Sequence, residues 1–251
     1  MFRICFITLF ILTGCRSTQV VHLNSVALNT SGPIAINVKS FGGIVTILAD
    51  PEVSGVIVSA NQHEEGLGSV PVARLYMDCS TYVENGPLGE TVYVVATCED
   101  DPLHTVTANI VIRARDIHGV TVDNERGDII ARGISGPVNI QTRDGNVLIV
   151  TPLVMNEQVL VENRRGDIVY RVRSESSGLI DATAINGEAT LDLRNGNAVI
   201  LPGSSGDHLS ARFNDGLNPL TMRTVEGNIR IHVVADPVGS EPMFTAEWIS
   251  W

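Results

Sequence analysis

The stretch Gly166-Asp167-Ile168-Val169-Tyr170 carries the pattern that decides the fold of this chain. A turn glycine is followed by an acid or amide, and then by a short strand whose alternate residues are apolar. We call this unit a rung, and predict one after each of six glycines spaced 18, 21, 21, 19 and 21 residues apart: Gly127, Gly145, Gly166, Gly187, Gly206 and Gly227. Self-similarity at a period near 20 residues indicates stacked repeat units.

A second series of turn residues falls about midway between the rung glycines: Gly136, Asn156, Gly178, Gly196 and Gly216. Each period therefore contains two turns and two strands. Positions two and four after a rung glycine point to the same side of a strand, and they are apolar in every rung except that of Gly206. There the inward positions hold His208 and Ser210, which predicts a one-residue bulge.

The repeat predicts an all-β fold, a parallel β-helix or β-solenoid with coils of about 20 residues. An antiparallel β-sandwich is the alternative, because short strands at regular spacing also suit that fold. Residues 61–118 are less regular. Within them, Arg74–Val83 and Glu90–Cys98 are predicted to form an inserted β-hairpin around a turn that ends at Gly89.

Folding about that turn would bring Cys79 and Cys98 opposite, or nearly opposite, each other. A disulfide between them is predicted, since an even pair of cysteines in an oxidising compartment commonly bonds. Two buried free thiols are the alternative.

The N-terminus has the features of a lipoprotein signal peptide. One positive charge at Arg3 precedes an apolar run over residues 4–12, and Leu12-Thr13-Gly14-Cys15 fits the lipobox that directs lipidation of the cysteine. A chance cysteine behind an ordinary secretory signal is the alternative. We predict a signal peptide over residues 1–14, a lipidated N-terminus and tether over 15–31, and one domain over 32–251.

The charge balance restricts the partners. The chain has a formal net charge of -11, and Lys39 is its only lysine. This charge disfavours nucleic acid and anionic lipid headgroups as ligands. The partners expected are the membrane, through the N-terminal lipid, and either an envelope glycan or another envelope protein.

Beyond these patterns, the chain resembles a known family. The resemblance rests on Val38-Lys-Ser-Phe-Gly-Gly-Ile-Val-Thr-Ile47 and on the Gly-[Asp/Asn]-[Ile/Val] rungs between Gly127 and Ile231. They are similar to the bacterial putative-adhesin domain family of unknown function, which occurs on envelope lipoproteins. Ile112-Arg-Ala-Arg115 stands where that family carries a proline-containing segment. The resemblance implies a β-solenoid and supplies no catalytic residues.

The residues that follow the rung glycines are the main candidate for a ligand site. In a solenoid they would stack into one column able to bind sugars or cations, or they would only hydrogen-bond within their turns. The latter interpretation is favoured. The column contains Asp128, Asn146, Asp167, Glu188, Asp207 and Asn228.

Other motifs are better explained structurally. Arg126-Gly-Asp128 and Arg165-Gly-Asp167 spell an integrin-recognition tripeptide, but their glycines and acids belong to rungs. The six histidines lack zinc-ligand spacing. The run Glu99-Asp100-Asp101 is interpreted as a solvated loop rather than a calcium site. No catalytic residue, cofactor or metal is predicted.

The sequence thus predicts a lipid-anchored, non-enzymatic protein of the cell envelope, on the outer membrane or facing the periplasm, with an adhesin-like binding or scaffolding surface. A β-helix enzyme acting on polysaccharide is the alternative, by analogy of fold alone. Two carboxylates, or a carboxylate and a basic side chain, meeting in one cleft would favour the enzyme.

Overall fold

The protein is an all-β structure in a computed structural model that describes the backbone of residues 16–22, 25–67, 75–83, 89–98 and 104–239, with side chains described over 25–63, 89–97 and 106–239. The strands are β1 (Arg16–His22), β2 (Val26–Leu28), β3 (Ile34–Ser40), β4 (Val45–Ala49), β5 (Val56–Leu67), β6 (Leu75–Val83), β7 (Glu90–Cys98), β8 (His104–Ala114), β9 (Ile117–Arg126), β10 (Ile129–Arg132), β11 (Ser135–Asp144), β12 (Val147–Thr151), β13 (Val159–Arg165), β14 (Ile168–Arg173), β15 (Gly178–Asn186), β16 (Ala189–Leu193), β17 (Ala198–Ile200), β18 (His208–Phe213), β19 (Pro219–Glu226) and β20 (Ile229–Val234). Across these ranges we find no helix long and apolar enough to cross a membrane.

The strands form two mixed sheets. Sheet 1 has the order β1-β5-β8-β4-β10-β12-β14-β20-β16, with β2 also paired to β5. Sheet 2 has the order β17-β18-β15-β19-β13-β11-β9-β3-β7-β6. The inner part of each sheet is parallel, whereas antiparallel pairs, such as β5 with β8 and β15 with β18, lie toward the ends.

Successive strands alternate between the two sheets. In each of seven strand pairs the first strand joins sheet 2 and the second joins sheet 1: β3–β4, β7–β8, β9–β10, β11–β12, β13–β14, β15–β16 and β19–β20. Neighbouring pairs in the stack are joined by parallel ladders in both sheets. The spatial order departs from the chain order, because β19–β20 lies between β13–β14 and β15–β16.

The core lies between the sheets and follows the predicted phase of the rungs. Ile129, Ile149 and Ile168 are fully buried, and the inward residues of the facing strands are buried as well. Tyr170 and Phe213 are the largest fully buried side chains among those described. Each strand pair thus covers the apolar residues of the next, which is why a single pair would not hold its shape alone.

The rung predicted at Gly206 is not formed. Strand β18 follows it and runs antiparallel to both β15 and β17, so it is not part of the parallel stack. Leu209, Ala211 and Phe213 are buried because this strand has the opposite phase along its whole length, and no bulge is needed to explain His208 and Ser210. The predicted bulge is therefore wrong.

The segment predicted as a tether contains two strands. Residues 16–22 form β1, which pairs antiparallel with the far half of β5, and β2 pairs with the near half of the same strand. Ordered pairing therefore begins before Gly32, at an edge of sheet 1. The lipobox lies outside the described residues.

The hairpin predicted in the irregular segment is present as β6 and β7. Its register sets Cys79 opposite Val94 and Cys98 opposite Leu75, so the cysteines are offset by four positions rather than facing each other. Four strand residues span about 13 Å, more than the roughly 7 Å limit between the Cα atoms of a disulfide. The disulfide stays a prediction that this register does not favour.

Candidate functional site

The rung glycines stack directly on one another at one edge of the two-sheet core. The column runs Gly43, Gly127, Gly145, Gly166, Gly227 and Gly187 in spatial order. The backbone N–H of each of the first four glycines in this order donates to a carbonyl of the neighbouring rung. For example, the N–H of Gly145 donates to the carbonyl of Arg165 at 2.9 Å. Gly43 was missed as a rung in the sequence, although Gly-Gly before a β-branched strand was a signal for it.

Glycine is required there for two separate reasons. Gly166 has a φ of 128°, a region that side chains disfavour, and a Cβ on it would lie 2.1 Å from the carbonyl oxygen of Gly145. Gly187 has no positive φ, yet its Cβ would lie 1.9 Å from the oxygen of Gly227. The close approach of neighbouring turns therefore excludes any other residue even where the φ does not.

The acids and amides after these glycines form a hydrogen-bonded ladder. Asp128 Oδ1 accepts the backbone N–H of Asn146 at 2.7 Å, and Asn146 Oδ1 accepts that of Asp167 at 2.9 Å. Asp167 Oδ1 accepts the N–H of Asn228 at 2.7 Å, and Asn228 Oδ1 accepts that of Glu188 at 3.0 Å. Each side chain thus bonds the next rung, not its own turn.

Acid and amide alternate along this ladder. The side-chain Nδ2 of Asn146 also donates to Asp128, and that of Asn228 donates to Asp167. An amide between two acids removes the repulsion of adjacent carboxylates and donates to one of the two acids. The favoured interpretation, hydrogen bonds within each turn, is therefore wrong about the partner, because these side chains bond across rungs and one oxygen of each already accepts a backbone N–H.

Two of the predicted ladder residues have different surroundings. Glu188 lies at the end of the column with an exposed side chain. Asp207 is outside the column and accepts a hydrogen bond from the Ser205 hydroxyl, which lowers the pKa of its carboxyl. The sequence pattern included Asp207 only because Gly206 falls at the expected spacing.

A second, buried polar column lies beneath the glycines and was not predicted. It occupies the position three residues before four of the rung glycines, where Asn124, Thr142, Asn163 and Thr224 lie, whereas the same position before Gly187 is Ala184. Asn163 Nδ2 donates to the carbonyl of Gly145 at 2.8 Å, and Thr224 Oγ1 donates to that of Gly166 at 3.0 Å. A polar residue at the same inward position of these four repeats was the signal that could have found it.

The residues just before the glycines alternate in charge along the outer edge. In register they run Arg126, Asp144, Arg165, Glu226 and Asn186. Arg165 binds Asp144, and this guanidinium holds the pKa of the Asp144 carboxyl below its usual value. In Arg165-Gly-Asp167 both charged side chains are therefore engaged within the ladder, which supports the structural interpretation of the tripeptide.

The described histidines act separately. His208 Nε2 lies 3.1 Å from Asp181, and hydrogen bonds to the Gly203 carbonyl and to Asp181 raise the pKa of this imidazole. Burial lowers the pKa of His232 despite its contact with Asp192. Among the side chains that the structure describes, no three His, Cys, Asp or Glu residues meet in a group able to hold a metal ion.

The outer face of sheet 2 carries a groove of about 300 Å³ that crosses several strands. Its floor is a row of side chains in register across five strands: Tyr93, Asn37, Thr121, Asn139 and Leu160. Gln158 and Pro137 line one side. We call this feature the sheet 2 groove.

Two register irregularities shape this groove. The pairing of β11 with β9 shifts between Ser135 and Val138, and that of β3 with β9 shifts between Ile34 and Ile36. Gly119 and Gly136 adopt φ values of 109° and 75° beside these shifts, and a Cβ on Gly136 would lie 2.9 Å from the Gly119 nitrogen. Bulges of this kind bend a strand and redirect its side chains, and they recur beside binding sites.

A shallower depression of about 390 Å³ lies next to it on the same face. It is lined by charged side chains that include Asp123, Glu125, Arg143, Glu162 and Arg164. All five are exposed to solvent. We call this feature the charged depression.

The comparisons with known proteins yield little. No protein-family model matches the chain, and no curated protein does either. Among solved structures, the chain is similar to a crystal structure at 1.95 Å of a "putative cell adhesion protein" from Clostridium sporogenes, with 10% sequence identity and a TM-score of 0.49 over 88% of this chain and 100% of that chain.

Proposed function

We propose that this protein is a lipid-anchored component of the bacterial cell envelope that presents a non-enzymatic, adhesin-like binding surface on a rigid β-solenoid. The observation that carries the proposal is the outer face of sheet 2, where outward side chains stand in register across five or more parallel strands. Such a face offers polar groups at fixed intervals of about 4.8 Å.

The construction of the stack supports the solenoid. Consecutive strands alternate between the sheets and the neighbouring pairs are parallel, which is the connectivity of coils rather than of hairpins. The glycine column and the Asp/Asn ladder tie each turn to the next. A binding face on such a frame is organised before the ligand arrives, and this reduces the entropy lost on binding.

The anchor rests on the lipobox. Cys15 would carry the lipid, and acyl chains attached there would hold the domain at a membrane surface outside the cytoplasm. Because β1 begins at Arg16, the domain would stand directly on the lipidated residue rather than on a long tether.

The charged depression is the feature that favours the alternative, an enzyme acting on polysaccharide. Asp123 and Glu162 lie on either side of Gln141 in the register, two strand spacings or about 10 Å apart. Inverting glycosidases hold their carboxyl groups about 6.5–9.5 Å apart, so this pair is close to that range. Both side chains are exposed to solvent, which counts against catalysis, since no wall excludes water from the pair.

Membrane fractionation of the producing cells tests the anchor. We expect wild type and Cys5→Ser, which changes only the signal peptide and leaves the lipobox intact, to be in the membrane fraction. Cys15→Ser is expected in the soluble fraction. Retention of Cys15→Ser by the membrane would overturn the anchor.

Retention on immobilised envelope polysaccharide tests the binding surface. We expect the purified wild-type protein to be retained without releasing soluble sugar. Release of sugar that is lost in Glu162→Gln would overturn the non-enzymatic function and support the alternative. A protein that is neither retained nor active on that polysaccharide would overturn both.

A further inference from the structure

The sheet 2 groove differs from the rest of the surface in its lack of charge. The chain has 45 charged side chains from 17 Lys and Arg and 28 Asp and Glu. Charged residues lie two positions away from the groove on three of the same strands, at Lys39, Asp123 and Glu162. Nevertheless none of the residues that line the groove is Asp, Glu, Lys, Arg or His. Its polar groups are amides and hydroxyls.

Four of these polar side chains are not used by the protein. Within the described part of the chain, the side chains of Asn37, Thr121, Asn139 and Gln158 make no hydrogen bond to another protein group. By contrast, Asn124 and Asn163 lie on β9 and β13 with their amides pointing inward, and both donate to glycine carbonyls. The groove therefore offers amide and hydroxyl groups that only solvent or a ligand can satisfy.

From these observations we propose that the sheet 2 groove binds an uncharged segment of a glycan chain. A carboxamide offers a donor and an acceptor side by side, which matches two neighbouring sugar hydroxyls, and three such groups line the groove, on Asn37, Asn139 and Gln158. The ring of Tyr93 at one end and Leu160 at the other supply apolar surface for the C–H faces of the sugar rings.

The dimensions suit a chain rather than a single small molecule. The row from Tyr93 to Leu160 crosses four strand spacings, about 19 Å in all. An added peptide strand has no place there, because β3, β9, β11 and β13 are each paired on both sides and have no free backbone edge. Anions and cations would find no counter-charge in the lining.

This inference rests on the proposed function and names its ligand class. The two can nevertheless fail separately. A protein that is retained on envelope polysaccharide equally well with and without a functional groove would leave the binding function standing and remove the groove.

The experiment measures binding of defined oligosaccharides to the purified protein by isothermal titration calorimetry. The probes are neutral cello-, malto-, manno- and chito-oligosaccharides, with oligogalacturonate of equal length as the anionic comparison. We expect wild type to bind at least one neutral series and not oligogalacturonate. Asn139→Ala and Asn37→Ala should each weaken that binding at least tenfold.

Gln141→Ala is the matched control, because Gln141 lies two residues from Asn139 on the same strand and the same face but outside the groove. It should bind as wild type does. Tyr93→Phe should retain binding and Tyr93→Ala should lose it, which distinguishes the ring from the hydroxyl. Thermal unfolding of each variant establishes that the fold is intact.

Four results would overturn the inference. One is the absence of binding by all four neutral series, and another is neutral binding that survives both Asn139→Ala and Asn37→Ala. The third is preferential binding of oligogalacturonate. The fourth is a loss of binding in Gln141→Ala as strong as that in the groove variants, because the effect would then not be specific to the groove.

Discussion

Substitutions at four glycines allow the cost of a positive φ and the cost of a close backbone neighbour to be measured separately. An alanine at Gly206 meets neither a positive φ nor a close neighbour, and one at Gly203 meets only the positive φ of 97°. At Gly187 the added Cβ meets only a carbonyl oxygen at 1.9 Å, whereas at Gly166 it meets both a φ of 128° and an oxygen at 2.1 Å. The substitution to alanine is the same at all four positions.

The expected losses follow from these contacts. Gly206→Ala should change the free energy of unfolding by less than about 0.5 kcal/mol, and Gly203→Ala should lower it by about 1–2 kcal/mol through the φ alone. At Gly187 and Gly166 the oxygen is backbone and cannot rotate away, so the neighbouring turns must separate and strain the hydrogen bonds between them. We expect about 2 kcal/mol or more at Gly187, and a larger loss at Gly166.

Urea unfolding followed by circular dichroism measures these values, and thermal unfolding gives a second measure. For a chain of this size each kcal/mol shifts the Tm by about 2–4 °C. If Gly187→Ala were as stable as Gly206→Ala, the close stacking of the glycine turns would be refuted. If Gly166→Ala cost no more than Gly203→Ala, the φ alone would explain why glycine stands at position 166 of the repeat.

Four further predictions test the ladder, the histidines and the cysteines. Asp167→Ala should lower the unfolding free energy by about 1–1.5 kcal/mol because two donors on Asn228 lose their acceptor, whereas Asp207→Ala should cost less than about 0.5 kcal/mol by urea unfolding. Asn228→Asp should cost about 1 kcal/mol at pH 7 because it sets two carboxylates on adjacent rungs, a loss that should shrink below pH ~4 and be absent in the exposed control Asn195→Asp. The pKa of His232 is lowered in the folded protein, so the unfolded chain takes up a proton first and the contribution of His232 to stability is lost as the pH falls below about 6.5. The pKa of His208 is raised, so His208 contributes to stability below about pH 6.5 and loses that contribution as the pH rises. The variants His232→Gln and His208→Gln should therefore change the pH profile of Tm in opposite directions. Because the register offsets Cys79 and Cys98 by four residues, alkylation of the denatured protein without reduction should modify both thiols by intact mass, and two unmodified cysteines would instead establish the disulfide and a shifted hairpin.

The local structure could be predicted from the sequence because two patterns in the repeat predict the same strands: the regular spacing of the turn glycines and the alternation of apolar residues after them. The predicted hairpin strands Arg74–Val83 and Glu90–Cys98 differ from the observed β6 and β7 by one residue. Likewise, the inward phase of Ile168 and Tyr170 is as predicted. A glycine before a β-branched strand fixes both the turn and the direction of the side chains.

The binding surface could not be predicted in this way. The sheet 2 groove depends on two register shifts and on the pairing of Tyr93 with Asn37, residues that are 56 positions apart in the chain. Neither shift has a pattern of its own in the sequence. The strand over residues 16–22 could not be predicted for a related reason, since an edge strand with few apolar residues has no alternation to detect.

The order of the strand pairs is a different problem, because glycine spacing makes every rung equivalent. Stacked in chain order, Asp167, Glu188 and Asp207 would be consecutive, with three carboxylates and no amide between them. In the observed order Asn228 lies between Asp167 and Glu188, where it donates to the first and accepts from the backbone of the second. Glycine spacing does not distinguish one stacking order from another, but the alternation of acid and amide does. It favours the order in which β19–β20 lies between β13–β14 and β15–β16. Among the described residues, the last strand pair thereby joins two parts of the stack that would otherwise share no ladder, and residues 219–234 are as central to the fold as the rungs that precede them.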